Sequence, residues 1–307
     1  MYNGKKIKNR EGKKYFVSIS GGESSGHLIQ WMEENKHPED EVLYGFANTS
    51  KEREETLVFT DRLARHYNIE IVWIEAVMSY KYRGETTYRF TDFENACRNG
   101  EVFEEMIKDY GIPNQAYPHC TRELKTVPLQ KLAHDILGED FYTVIGIRVD
   151  EIDRVNKDWK ELKYLYPHVI NGVTKPEINS FWNAMPFRLE LKGYEGNCGK
   201  CWKKTLNKLL TIEYEETITG IVDDWWSNME DKYGYYVPDH RKEKRKPLEG
   251  KLTFYRNNLS AKDLRTLAKQ PFKKSKDDSK EYSFQSSLFG VDFNVSTGLC
   301  SESCEPF

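Results

Sequence analysis

Apolar positions along the chain alternate between two spacings. Residues 15–19 form a dense run of β-formers that stops at Ser20-Gly21-Gly22, after which Leu28, Ile29, Trp31 and Met32 recur at helical intervals. That order predicts a buried strand, a glycine turn and a helix opening at the turn. The alternation then repeats. Residues 41–49 predict a second strand ending in polar residues, residues 52–67 a charged helix with Phe59, Leu63 and Tyr67 on one stripe, and residues 69–74 a third strand. Residues 141–147 read as a fourth buried strand, after a helix that Pro128 opens and Leu129, Leu132 and Ile136 continue. Strands alternating with helices over short connections predict an α/β fold, a doubly wound parallel sheet with right-handed crossovers.

In such sheets ligands sit beyond the carboxyl ends of the strands. Ser20, Gly21, Gly22, Glu23, Ser24 and Ser25 fall on that edge, as do Asn48 and Thr49, so two polar loops converge on one crevice. Two glycines let backbone come close to a ligand, and a helix start offers unpaired N–H groups to a phosphate or pyrophosphate. An ordinary strand-to-helix turn is the plainer alternative, and the loop lacks the Gly-Lys-Ser/Thr ending of a Walker A motif. The fourth strand ends in Gly146-Ile147-Arg148-Val149-Asp150-Glu151, followed by Arg154. Arg148 and Arg154 could grip phosphate or sulfate through paired hydrogen bonds, or form a surface ion-pair cluster with Asp150, Glu151 and Asp153. Residues 75–118, rich in Tyr and Arg, read either as a mobile cover over the crevice or as a solvated aromatic surface.

Composition narrows the class. The chain has 307 residues, 31% charged and 38% hydrophobic, with a net charge of −3, so it has material for a large core and no global attraction to nucleic acid or anionic membrane. No apolar run approaches the roughly 20 residues that span a bilayer, and the opening residues lack a signal-peptide core, so a cytoplasmic protein is expected. Six cysteines (97, 120, 198, 201, 300 and 304) in that setting favour metal binding or redox chemistry over a disulfide framework. Cys198-Gly199-Lys200-Cys201 is a tight knuckle that aims two sulfurs at one point, with candidate partners in Cys120, Cys300 and Cys304. Lys200, Lys203 and Lys204 would offset thiolate charge or solvate the turn. Further on, Trp225, Trp226 and Met229 stand at helical spacing and read as core. The basic run at residues 240–246 reads as a solvated loop before a nucleic-acid contact. The expected organisation is a flexible lead-in over 1–14, a nucleotide-binding domain over 15–212, a helical extension over 213–272, and a linker with C-terminal tail over 273–307.

Four segments together carry a resemblance. Ser20-Gly21-Gly22-Glu23-Ser24-Ser25 resembles the pyrophosphate loop of the adenine nucleotide α-hydrolase superfamily, a Rossmann-like fold. With residues 46–56, the stretch Cys120-Thr121-Arg122-Glu123-Leu124-Lys125-Thr126-Val127-Pro128-Leu129 and residues 146–151, it resembles the phosphoadenylylsulfate (PAPS) reductase family, in family order over roughly residues 15–205. The resemblance implies an adenine nucleotide, ATP or PAPS, across the strand ends. Its phosphates would meet the Ser20–Ser25 loop, with Arg122, Lys125 and Arg148 facing phosphate or sulfate. It also implies a [4Fe–4S] cluster on Cys120, Cys198 and Cys201, with zinc as the alternative. The fourth ligand would be His119, Cys300 or Cys304, with Cys304 preferred because a tail can fold back over the site.

Three departures shape the functional expectation. His119 stands where the family carries a second cysteine, Ser24 replaces the loop's aspartate, and the reductases' C-terminal nucleophile motif is absent, Glu302-Ser303-Cys304-Glu305 being a loose echo. A reductase needs a thiolate to attack sulfur, which only Cys300 or Cys304 could supply. The expected activity is therefore ATP pyrophosphatase or adenylyl-type sulfur-transfer chemistry, as in the related DNA-phosphorothioation sulfurtransferases. A thiol-dependent sulfonucleotide reductase and a non-catalytic nucleotide sensor are the alternatives. The sulfur donor or acceptor stays open, and so does nucleic acid as a partner.

Overall fold

The fold is built around a six-stranded, mostly parallel sheet with helices on both faces. The computed structural model describes residues 12–79, 85–238, 248 and 250–282. The first part runs β1 (Lys14–Ile19), α1 (Glu23–Asn35), β2 (Glu41–Asn48), α2 (Glu54–Tyr67), β3 (Ile71–Val77) and β4 (Thr87–Thr91). Next come α3 (Glu101–Tyr110), the single turn α4 (His119–Thr121), a π-helical turn (Arg122–Thr126) and α5 (Val127–Leu137). They are followed by β5 (Tyr142–Val144), a 3₁₀ turn (Val149–Arg154), β6 (Tyr164–Leu165), α6 (Pro167–Ile170) and α7 (Lys175–Ala184). The helices α8 (Leu206–Thr219), α9 (Trp225–Tyr233) and α10 (Ala261–Leu267) close the described chain.

Strand order is β4-β3-β2-β1-β5-β6, parallel throughout except for β4 against β3. Alternation within each strand sets the two faces. Val17, Ile19, Tyr44, Phe46, Ile71 and Trp73 point to one face, where Leu28, Ile29, Leu57, Leu63 and Trp182 of α1, α2 and α7 cover them. Phe16, Leu43, Ala47 and Ile74 point to the other, against Leu129, Leu132 and Leu137 of α5. The chain winds outward from β1 in one direction through β2 and β3, then returns to the other side of β1 with β5 and β6. The switch point therefore lies between β1 and β5, and it positions the site.

Several expectations need correction. Residues 75–118 hold regular elements where described, although Arg89, Phe90 and Tyr117 lie exposed, and Tyr80, Tyr82 and Arg83 lie outside the described residues. Glu75–Val77 complete β3, Thr87–Thr91 pair with it as an antiparallel edge, and Val102, Phe103, Met106 and Ile107 bury one face of α3. The helix expected to open at Pro128 begins at His119, because the π turn joins α4 and α5 without a break. The boundary at residue 213 falls inside α8. The extension is also not separately cored: Trp226, Met229 and Leu264 share one apolar cluster with Ala76, Val102 and Leu124 of the sheet side. Trp226 and Met229 are buried there as core. The stretch read as a linker is docked: Asn179 donates to the carbonyls of Asp278 and Glu281, Lys175 pairs with Asp278 at 2.7 Å, and Gly193 N–H donates to Asp277. The basic run at 240–246 and most of the lead-in lie outside the described residues.

Candidate functional site

The glycine turn forms as its sequence requires. Gly21 sits at φ +79°, and a Cβ there would stand 2.4 Å from Thr56 Cγ2, so only glycine fits against α2. Gly22 is extended (φ −96°) and precedes the first residue of α1, where no side chain among the described residues caps the helix. The first-turn amides of α1 are thus not taken by a cap and face the switch point. Serines hold the turn from within: Ser25 Oγ donates to Gly22 O at 2.9 Å and accepts from Ser20 N at 3.2 Å.

The end of β5 closes on this turn. A Cβ at Gly146 would lie 3.3 Å from the Ser24 backbone, so the two segments are in contact. Arg148 Nη1 donates to Ser24 Oγ at 2.8 Å, while its other nitrogens pair with Asp150 at 3.1 Å and Glu151 at 3.4 Å. Arg154 shares Glu151 at 2.8 Å. The ion-pair reading of these arginines is the one on view, a cluster with Asp150 and Glu151 that holds the Arg148 guanidinium against the loop. Glu23 is held by a two-pronged pair with Arg188 (3.0 and 3.1 Å), and burial raises its pKa above the usual carboxylate value despite that cation. Beneath the loop, buried His168 touches Ser24 O at 3.2 Å and His27 at 3.1 Å through Nε2. Burial, with His27 and Arg148 nearby, pushes its pKa down to about 3.

Other expected ligands are placed differently. Asn48 is wholly buried, its amide donating to Glu75 at 2.7 Å and to the Cys97 carbonyl at 2.8 Å, so it braces the strand ends. Thr49 donates through N–H and Oγ1 to Glu52. The ammonium of Lys125 pairs with Glu52 at 3.1 Å, both groups buried. Arg122 pairs with Glu123, which also accepts from Thr86 at 2.6 Å.

The cysteines come together. Cys120, Cys198 and Cys201 line one cleft with Thr49, Lys125, Phe103, Trp202 and Trp226, and Trp202 Nε1 donates to Cys120 Sγ at 3.4 Å. Soft thiols converging from two segments suit a metal or cluster in chemistry. Among the described residues, however, no three His, Cys, Asp or Glu side chains are close enough to hold a single ion. His119 does not line the cleft. Its ring stacks on Tyr117 and packs beside Tyr110. Cys300 and Cys304 lie outside the described residues. Lys200 and Lys204 do not solvate the turn: Lys200 is buried against Glu213 at 2.6 Å and Glu216 at 2.8 Å, Lys204 donates to the Cys198 carbonyl at 2.6 Å, and Lys203 lies over the Trp202 ring.

Sequence reasoning missed Asn197, Glu52, Arg188 and His168. Asn197, adjacent to the knuckle, and Glu52, inside the 46–56 segment, carried a signal in their positions.

No family profile matches the chain. Two relatives align with it. An "uncharacterized nin region protein ORF290" of Escherichia phage lambda is 28% identical over 296 residues, covering 95% of this chain and 94% of that protein. An "uncharacterized protein MJ0066" of Methanocaldococcus jannaschii is 29% identical over 201 residues, 64% of this chain and 35% of that protein.

Proposed function

We propose that the chain is an enzyme of the PAPS reductase family, with an adenine nucleotide α-hydrolase-like fold. It binds ATP at the Ser20–Ser25 loop and runs ATP pyrophosphatase or adenylyl-type sulfur-transfer chemistry. One observation carries this reading. The glycine turn, the uncapped start of α1 and the Arg148 guanidinium meet at the switch point of the sheet, where a polyanion is recognised by backbone amides and a fixed cation. In the reaction an acceptor oxygen or sulfur forms a bond to the α-phosphorus as the bond to pyrophosphate breaks, leaving the acceptor adenylylated. Loop amides and Arg148 would hold the departing pyrophosphate, and Arg188 keeps Glu23 from repelling it.

Cys120, Cys198 and Cys201, which line one cleft, would hold a [4Fe–4S] cluster, whose ligands need not converge on a single ion as those of zinc must, with Cys300 or Cys304 as fourth ligand. Such a group would supply a sulfur-binding or redox centre beside the nucleotide. Lys125 lines the same cleft with its charge balanced by Glu52 at 3.1 Å.

Anaerobically purified protein, given ATP or PAPS, separates the activities. Pyrophosphate from ATP supports the proposal, sulfite from PAPS replaces it with the reductase, and binding without turnover replaces it with a sensor. Metal analysis and an absorption spectrum on the same sample test the cluster. Arg148→Ala should weaken ATP binding by about 10- to 100-fold, the range for a hydrogen bond to a charged group, while adenosine affinity holds. An equal loss for adenosine would make Arg148 structural.

A further inference from the structure

The residue before the knuckle reaches the glycine loop. Asn197 is 3% exposed, and its Nδ2 donates to the Ser20 carbonyl at 2.9 Å. Its own carbonyl accepts from Arg53 N at 2.8 Å, and Gly199 N donates to Lys51 O at 3.4 Å. Cys198 forms an antiparallel bridge with Glu52. A Cβ added at Gly22 would stand 3.3 Å from Asn197 Nδ2, so Asn197 meets the loop at both Ser20 and Gly22. On its far side the knuckle is clamped to α8 by Lys200 with Glu213 and Glu216. A segment held at both ends moves little independently. A displacement of Cys198 passes through one residue to the carbonyl that starts the turn.

We infer that Asn197 is a positioning residue that couples the Cys198–Cys201 knuckle to the anion-binding loop, so that each site senses whether the other is ordered. The inference rests on the nucleotide reading above. Occupancy of the loop fixes Ser20, Ser20 fixes Asn197, and Asn197 fixes the peptide that carries Cys198. Coupling in binding is reciprocal, so a ligand held on the knuckle tightens the loop by the same factor.

The test is alkylation by iodoacetamide of the full chain, reduced and freed of bound metal by a chelator, followed cysteine by cysteine in the mass spectrometer with and without saturating ATP. Cys97, which interacts with Arg89 and Glu75 at the end of β3, serves as internal reference. ATP should slow modification of Cys198 and Cys201 by about fivefold or more, the lower range of site-to-site coupling. In Asn197→Ala, and in the near-isosteric Asn197→Asp that lacks the amide donor, ATP should still bind by calorimetry at higher concentration and protect neither thiol. Protection that persists in both variants overturns the coupling, as does wild type that binds ATP without protection. Wild type that binds neither ATP nor PAPS ends the nucleotide reading and the coupling with it.

Discussion

The glycine crevice and the thiol cleft share one edge of the sheet and are built by opposite means. The crevice is built on a local turn: six consecutive residues bond to one another through Ser20, Gly22 and Ser25, and Arg148, His168, Arg188 and Asn197 each add a contact to it from later in the chain. The thiol cleft gathers residues near positions 49, 103, 120, 200 and 226. Its charges are buried in pairs, Lys125 with Glu52 and Lys200 with Glu213, whereas the crevice presents backbone amides and a partly solvated guanidinium. A site made of local backbone loses ligand when altered; a site made by tertiary docking loses fold.

The largest effect should therefore come from the cleft. Lys125→Ala leaves Glu52 as a buried charge without its cation and should destabilise the protein by about 3–5 kcal/mol in urea unfolding. Lys125→Met combined with Glu52→Gln should recover most of that loss, since no charge is then stranded. A single variant as stable as wild type would show that the pair is not what holds this wall.

Two adjacent glycines sharpen the contrast on the crevice side. Gly21→Val meets both a left-handed backbone and the Thr56 methyl group, and should cost about 2–3 kcal/mol of stability. Gly22→Val has an ordinary backbone conformation and only Asn197 to displace slightly. It should fold with near-normal stability and lose ATP binding in calorimetry. If Gly22→Val binds ATP normally, the loop is not the anion site.

Acid should act on the crevice. The native pKa of His168 lies at about 3, below the unfolded value near 6.5, so between those pH values the unfolded chain takes up a proton that the native protein refuses. Stability from this group is present above pH 6.5 and declines as pH falls, by about 2 kcal/mol at pH 5. Glu230, raised to about 7 by burial, titrates in the opposite sense. The measurement is accordingly a difference: unfolding free energies at pH 7.5 and 5.0, for wild type and His168→Gln. The variant should lose less on acidification, and parallel losses would remove the assignment.

The contrast also explains what the sequence discloses. The turn at Ser20-Gly21-Gly22 was legible because strand, turn and helix signals are contiguous. The three parallel strands before residue 78 were legible because each alternates apolar residues between two faces. The antiparallel edge at Thr87–Thr91 was not, since of its two aromatic side chains Tyr88 packs only at the margin of the core and Phe90 is exposed. Arg122 and Lys125 looked like free cations because Glu123 is a neighbour easily discounted and Glu52 lies far away in the chain. Charge pairing across such separations leaves no periodic trace. Asn48 shows the same limit: its place at a strand end was readable, but the carboxylate that claims it belongs to the next strand.

The setting of Glu23 links the first helix to the last described residues. Arg188 grips Glu23 and also donates to the Ser279 carbonyl, beside the contacts of Asn179 with Asp278 and Glu281. A ribosome adding roughly 5–20 residues per second delivers Ser279 on the order of ten to fifty seconds after Glu23. For that interval a nascent chain can pair β1, β2 and β3 while the mouth of the crevice still lacks its final brace. The last contact on the Glu23–Arg188 pair is thus timed by translation, and a chain released before residue 279 would carry the pair without its Ser279 brace.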